Sequence, residues 1–370
     1  MASPERPPVA LDAYGADGGP ELVLEGATLA AAEGISVRIF GPSSLSAGPG
    51  IEVKPTTEWI GNEAEPVAAV RSSPEASIVR AAASVAEGSC GAAVSAGSTG
   101  ATMTAALFAM KRARGVHRPA LAVQIPLPDA ASSNVKWVAP GGAPSHDPGA
   151  ARGGGRPPLL FLDAGANTDV RPQHLIQFAF LGSAFSRAVL GVENPRVALL
   201  SVGEEQKKGR PDVVEAHEAL TEASGIRFIG NLEGRDLLSG EANVVVTDGF
   251  TGNVALKTLE GTASAVAEAV RGAARSGPLA AAGGLLLRPA LGGLRRSMDP
   301  NSVGGAILLG LRGVAVVAHG SSSPEGIANA VRLADRAVRE RSVERTAELL
   351  AASGATRESL RESPAETGER

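Results

Sequence analysis

The chain has 370 residues, 44% of them hydrophobic and 20% charged, with a formal net charge of -4. That composition supplies a large aliphatic core and excludes global disorder. Aromatics at 3% leave little to stack on bases, so no nucleic-acid partner is expected, and the acidic balance means that any anion site has to be local.

The first eight residues, Met1 to Pro8, are polar and proline-rich, without the apolar core of a signal peptide. Val9 to Leu11 reads as a strand, Glu21 to Glu33 as an amphipathic helix and Val37 to Phe40 as a second strand. Pro74 to Glu87 reads as a helix with proline in its first turn. Cys90, the only cysteine, excludes an internal disulfide and a thiolate zinc cluster, and makes a reducing, cytoplasmic setting the default. Ala92 to Val94 is strand-like and feeds a Gly-rich turn and a helix through Met110. Further strands are expected at Leu121–Ile125, Leu159–Leu162, Val197–Leu200, Phe228–Ile229, Val244–Val246 and Val314–Val317. Helices fit Pro172–Leu190, Asp212–Ala223, Gly252–Val270 and the chain from Glu325 onward. The alternation predicts parallel strands with crossover helices, a three-layer α/β/α fold of one catalytic domain over residues 8–340.

Two segments break the pattern. Asp129 to Pro158, dense in Ala, Gly, Pro and Ser, is expected to be a flexible surface insertion, and Ser353 to Arg370 a polar, disordered tail. The apolar window Val303 to Ala318 contains Arg312 and four glycines and falls short of the roughly 18 residues that span a bilayer, so it reads as buried globular structure.

In an open parallel sheet, ligands sit beyond the carboxyl ends of strands. The informative residues follow the apolar runs: Asp12 to Pro20, Ser95 to Ala101, Asp163 to Asn167, Gly203 to Glu205, Asn231 to Asp236, Thr247 to Asn253, and His319 to Ser322. All these turns are expected at one rim of one sheet. Glycine lets backbone approach a ligand, and the exposed amides of a helix start favour an anion. Helix capping explains each such turn taken singly; several on one edge point to phosphate. The carboxylates Asp12, Asp17, Asp163, Glu204, Glu205 and Asp248 fit either magnesium ligation or the capping, loop-holding and neutralising of Lys208, Arg235 and Lys257. The second reading is preferred, and no metal or cofactor is assigned. No GxSxG, GxxxxGK[ST] or GxGxxG is present, so a hydrolase serine, a P-loop and a dinucleotide fingerprint are unsupported.

At this point the residues resemble a known family, the phosphate acyltransferases of bacterial phospholipid synthesis (PlsX). The stretch from Phe228 to Gly261, "FIGNLEGRDLLSGEANVVVTDGFTGNVALKTLEG", carries most of the likeness, with "LDAGANTDVRPQHLIQFAFLGSAFSR" from Leu162, "VGEEQKKG" from Val202 and "HGSS" from His319. Departures are Gly18 where a histidine is usual, Ser98 and Arg210 where asparagines stand, and Ile307 in place of proline.

The resemblance implies a fold similar to phosphotransacetylases and isopropylmalate dehydrogenase-like enzymes. It implies acyl transfer from acyl-[acyl-carrier-protein] to inorganic phosphate, a homodimer, and an acyl phosphate product that serves a glycerol-3-phosphate acyltransferase of the membrane. Phosphate is itself the nucleophile, so the protein has to orient it, stabilise the oxyanion and exclude water. Lys208, Asn253, Lys257 and His319 are the expected catalytic residues. Asp12, Gly97, Thr99, Gly100, Asn167, Glu204, Arg235, Asp248, Gly249 and Gly252 are the expected substrate-binding set. Lys111, Arg112, Arg114 and Arg118 form the densest basic run, either a docking patch for an acidic carrier protein or a solvated helix end. Arg271 to Met298, leucine-rich and free of acidic residues, fits a hairpin touching anionic lipid at the inner face of the cell membrane, or a dimer contact. Rival readings are a phosphotransacetylase-like enzyme using an acyl-coenzyme A, and a non-catalytic regulator that binds acyl phosphate or phosphate.

Overall fold

Runs of three to six Val, Leu, Ile and Ala residues are too short for helices, and they form the strands of one sheet. The computed structural model describes residues 6–127, 157–284 and 302–361. The strands are β1 (Val9–Asp12), β2 (Val37–Gly41), β3 (Ile51–Pro55), β4 (Ala92–Ser95), β5 (Ala120–Ile125), β6 (Leu159–Leu162), β7 (Arg196–Ser201), β8 (Arg227–Glu233), β9 (Val244–Val246), β10 (Ala306–Leu309) and β11 (Val314–Val317). The helices are α1 (Gly19–Ala32), α2 (Pro66–Ser72), α3 (Ser77–Ala86), α4 (Thr99–Met110), α5 (Pro172–Ala188), α6 (Pro211–Glu222), α7 (Gly249–Ala274), α8 (Pro324–Arg339) and α9 (Ser342–Ala352).

Side-chain alternation sends each strand into two cores. Val9, Leu11, Ile39, Val94, Leu162, Leu199 and Val316 pack with α1, α5, α6, α8 and α9 on one face. Ala93, Leu121, Leu308 and Ala315 pack with α3 and α4 on the other, where Phe161, Ala198 and Val245 meet α7 through Leu256 and Leu259. The result is the expected three-layer α/β/α arrangement. The chain has eight phenylalanines; Phe161 on β6 and Phe178, Phe180 and Phe185 on α5 are each at most 1% exposed, which puts the aromatic mass of the core there. Burying each is worth about 1.5–3 kcal/mol.

The strand order is β3-β2-β1-β4-β11-β10-β5-β6-β9-β7-β8. Most neighbours are parallel, but β10 is antiparallel to both β11 and β5, and β5 is antiparallel to β6. An odd number of reversals therefore separates the two ends of the sheet. β1, β2, β3, β4 and β11 point one way, and β6, β9, β7 and β8 point the other. This corrects the expectation of a single rim: the two sets of carboxyl-end turns lie at opposite edges.

Other differences are local. Strand β3, helix α2 and strand β10 form where no element was expected, and β8 is longer than Phe228–Ile229. The helix from Glu325 breaks at Arg341, whose φ of 50° leaves the helical region. Of the expected insertion, only residues 157 and 158 are described; of the expected hairpin, residues 271–284 are, and its leucines from 285 to 294 lie outside the described residues. Residues 353–361, expected in a disordered tail, instead pack on the body. Ala355 is 1% exposed, the Gln177 amide donates to its carbonyl at 2.9 Å, and Arg357 N donates to Gly115 O at 2.7 Å.

Candidate active site

At the first edge, the turns after β1, β4 and β11 are tied together. Asp12 is buried; its Oδ1 accepts from Ser77 Oγ at 2.6 Å and Tyr14 N at 3.1 Å, and its Oδ2 accepts from Ser95 Oγ at 2.7 Å. Burial pushes this carboxyl above the usual range, against the pull of those three donors. Asp12 therefore ties the turns after β1 and β4 to helix α3. A Cβ on Gly97 would stand 3.0 Å from Gly15 Cα, and one on Gly100 would stand 2.7 Å from Pro66 Cγ. Gly97 and Gly100 are thus needed for contact within the protein. Open to solvent at this edge are Thr99, in the first turn of α4, and His319. His319 Nδ1 accepts from Ser321 N at 3.2 Å and lies 2.8 Å from Ser321 Oγ, so the neutral ring keeps its proton on Nε2, available to donate.

The second edge carries the turns after β6, β9, β7 and β8. Asp163, fully buried, takes Leu121 N, Gly165 N and Ala166 N on Oδ1 at 3.0, 3.2 and 2.9 Å. Its Oδ2 takes Asn167 N and Asn167 Nδ2, both at 2.7 Å. Burial again raises the carboxyl's pKa against these donors. Asn167 spends its second amide hydrogen on Pro119 O at 2.8 Å, so it is no free oxyanion donor. Helix α7 starts on this loop. Gly249 N donates to Asn167 O at 2.7 Å, and a Cβ on Gly252 would fall 1.9 Å from Asp163 O. Asp248 caps the helix through Thr251 N and Oγ1 at 2.8 and 2.7 Å. Gly249, Gly252 and Asp248 therefore build the start of α7 and seat it on the Asp163–Asn167 loop.

What projects from this edge is charged and exposed. The amide of Asn253 and the ammonium of Lys208 have no partner among the described residues. Lys257 pairs with Glu260 at 2.8 Å, and Arg235 lies among Glu204, Glu233 and Asp236 at 3.4–3.8 Å. Arg210, which the sequence marked only as a departure, places its guanidinium 3.6 Å from Asp248 at the start of α7. Its cationic type, two residues after Lys208, was the available signal.

The two edges are joined across one face of the sheet. Helix α4 packs on β11 and α7 on β6, with β10 and β5 between. Partly buried Met103, Leu107, Ala166 and Leu256 share one apolar cluster and line the seam between the two helices. At one end of this seam Arg235 meets Glu204 at 3.8 Å and Asn253 lies beside Gly165; Lys208 follows β7 at the same edge, Lys257 stands more than two turns along α7, and Thr99 and His319 stand at the other end. A cavity of about 470 Å³ at the amino ends of β1, β2 and β3, lined by Arg6, Ser36, Glu52 and Asp335 among others, adjoins none of these turns. Among the described residues, no cluster of His, Cys, Asp or Glu is placed to hold a metal ion, and no helix is long and apolar enough to cross a membrane.

The fold is that of a three-layer α/β protein. The chain is similar to the crystal structure of a phosphotransacetylase from Streptococcus pyogenes, with a TM-score of 0.57 and 18% identity, covering 90% of this chain and 94% of that one. That likeness is one of fold alone. A family model described as "Fatty acid synthesis protein" matches residues 8–136 and 153–345. The chain is 40% identical over 358 residues to the phosphate acyltransferase of Anaeromyxobacter dehalogenans strain 2CP-1, covering 94% of this chain and 91% of that one. It is 41% identical over 341 residues to that of Elusimicrobium minutum, covering 89% and 92%. The chain belongs to the phosphate acyltransferase family, and it is an acyltransferase.

Proposed function

We propose that the protein transfers a fatty acyl group from acyl-[acyl-carrier-protein] to inorganic phosphate, giving acyl phosphate for phospholipid synthesis. A phosphate oxygen bonds to the thioester carbonyl carbon, the C–S bond breaks, and the carrier leaves as a thiolate that takes a proton from solvent. A thiol of pKa near 8.5 needs little help to leave, so the protein's task is to hold the phosphate and the developing oxyanion.

One observation carries the placement. Arg210 reaches Asp248 at the start of α7, Lys208 stands two residues before Arg210, and Asn253 and Lys257 follow within the first three turns of the helix, a concentration of cations and donors that favours an anion. At the opposite end of the seam, the Asp17 carboxylate lies beside Gly320, next to His319, a poorer setting for a doubly charged phosphate. The apolar seam suits the acyl chain, and the Nε2 proton of His319 suits a polar group further along it.

The test is turnover of long-chain acyl-carrier protein and phosphate, with the product trapped as hydroxamate. Lys208→Ala and Lys257→Ala are each expected to lower kcat/KM for phosphate by roughly tenfold to a hundredfold. Wild-type turnover in both variants, with turnover lost in His319→Ala, would move the phosphate to the other edge. Acetyl-coenzyme A as donor in the same assay separates this reading from a phosphotransacetylase. The product is expected to pass to a membrane glycerol-3-phosphate acyltransferase, and the working form is a homodimer. Val266 at 55%, Val270 at 43% and Leu279 at 88% exposure support a partner or lipid surface there; a monomer mass at working concentration would count against the dimer.

A further inference from the structure

The loop that leads from α4 into β5 carries Lys111, Arg112, Arg114 and Arg118, and the structure brings Arg312 and Arg171 to the same edge. Arg312 stands in the β10–β11 turn, where its N donates to Lys111 O at 3.1 Å and its Nε to Arg112 O at 3.1 Å. Arg112 pairs with Leu311 in an antiparallel bridge and donates a guanidinium N–H to His117 O. Arg118 Nη1 donates to Asp169 O at 2.9 Å, and Arg171 lies two residues on.

Two properties distinguish this cluster from an ordinary solvated helix end. All six cations are exposed, and among the described residues none of them has a carboxylate within salt-bridge distance. On a chain of net charge -4 this is a local excess of positive charge with nothing of its own to neutralise it. The three arginines that are held in place are held by backbone carbonyls, which fix the guanidinium without cancelling its charge. The cluster is therefore a preorganised positive surface.

Its position connects it to the site. Pro119, next to Arg118, gives its carbonyl to Asn167, and Leu121 N donates to Asp163. The Asp163–Asn167 loop in turn seats Gly249 and Gly252 at the start of α7. From these contacts we infer that Lys111, Arg112, Arg114, Arg118, Arg171 and Arg312 form the docking surface for the acidic carrier protein that presents the acyl thioester. This inference rests on the proposed carrier-protein donor. A protein fits better than a lipid surface, because among the described residues the cluster itself contains no large exposed apolar side chain, and Phe108, one turn before Lys111, lies under the Arg71 guanidinium. Oppositely charged surfaces raise the rate of encounter and set orientation, which a tethered substrate needs before its arm can enter the seam.

The experiment uses the triple variant Lys111→Glu, Arg114→Glu and Arg171→Glu, whose side chains hold none of the loop's carbonyls. Two donors are compared at fixed phosphate, long-chain acyl-carrier protein and the same acyl group on uncharged pantetheine. The variant is expected to lose about tenfold or more in kcat/KM with the carrier protein, and to lose the wild type's decline with added salt. With acyl-pantetheine it keeps wild-type turnover. Equal loss with both donors, or no loss with either, overturns the inference. So does a variant that releases anionic vesicles bound by the wild type while its carrier turnover stands. A wild type active on acyl-pantetheine but not on the carrier protein would refute the proposed donor. Titration of unacylated carrier protein against both proteins then measures docking by itself, and equal affinity refutes the surface.

Discussion

Asp163→Asn tests whether the loop beneath α7 is held by a carboxylate. Asp163 accepts five N–H donors in the native protein, three on Oδ1 and two on Oδ2, the last two at 2.7 Å. Asparagine has the same shape but must place an NH2 group against one set of donors. The less costly choice keeps the amide oxygen toward Leu121, Gly165 and Ala166 and gives up both bonds from Asn167. Two charge-assisted bonds at about 1.5–3 kcal/mol each amount to about 3–6 kcal/mol. A neutral amide is easier to bury than a carboxylate, which brings the expected loss to about 3 kcal/mol. Urea unfolding at pH 7, followed by far-UV circular dichroism, reads this as a lowered midpoint at constant slope. Acyl phosphate formation should fall further than stability does, because Asn167 O holds the first amide of α7. A stability loss under about 0.5 kcal/mol would show that the five donors do not need the charge, refuting the reasoning.

The remaining predictions concern packing and pH. Gly252→Ala forces a methyl group to within 1.9 Å of Asp163 O, where only backbone can yield; a destabilisation of about 3 kcal/mol or more is expected, and a soluble variant of native melting temperature would contradict the contact. His174 is held at a pKa of about 4 by burial first and then by Arg118, His117 and Arg171, so the folded protein keeps it neutral. The unfolded chain takes up that proton below about pH 6.5, so stability is complete above that value and falls as pH drops toward 4. With solvent screening, the loss over this window is about 1–2 kcal/mol. His174→Asn should remove that part of the slope, and an unchanged slope would assign it elsewhere.

The strands that sequence revealed are those buried on both faces. VVV in β9 and LLFL in β6 read as strands because apolar side chains are needed above and below the sheet. β3, Ile51–Pro55, was hidden because it is an edge strand whose Glu52 and Lys54 face solvent, where an edge gains from charge. Strand direction was not legible. Nothing in Leu121–Ile125 or Ala306–Leu309 signals that each will lie antiparallel to its neighbours, and that reversal sends Lys208 and His319 to opposite edges. The chemistry after each strand was legible as residue types. Whether a glycine admits a ligand or another stretch of backbone depends on partners distant in sequence, as Gly252 and Asp163 show. The burial of Ala355 likewise depends on Gln177, 178 residues earlier, reaching across to its carbonyl.

The pairing of Ile125 with Leu159 fixes where the chain leaves the sheet after β5 and where it returns for β6. Departure and return points are hydrogen-bonded neighbours, so whatever joins them closes a hairpin that the sheet has already clamped. Doubling the length of such a junction costs only about 0.6 kcal/mol in closure entropy. Evolution can therefore lengthen, shorten or decorate this junction with little effect on the strands it connects, and the same freedom makes it a natural port for grafting a reporter domain.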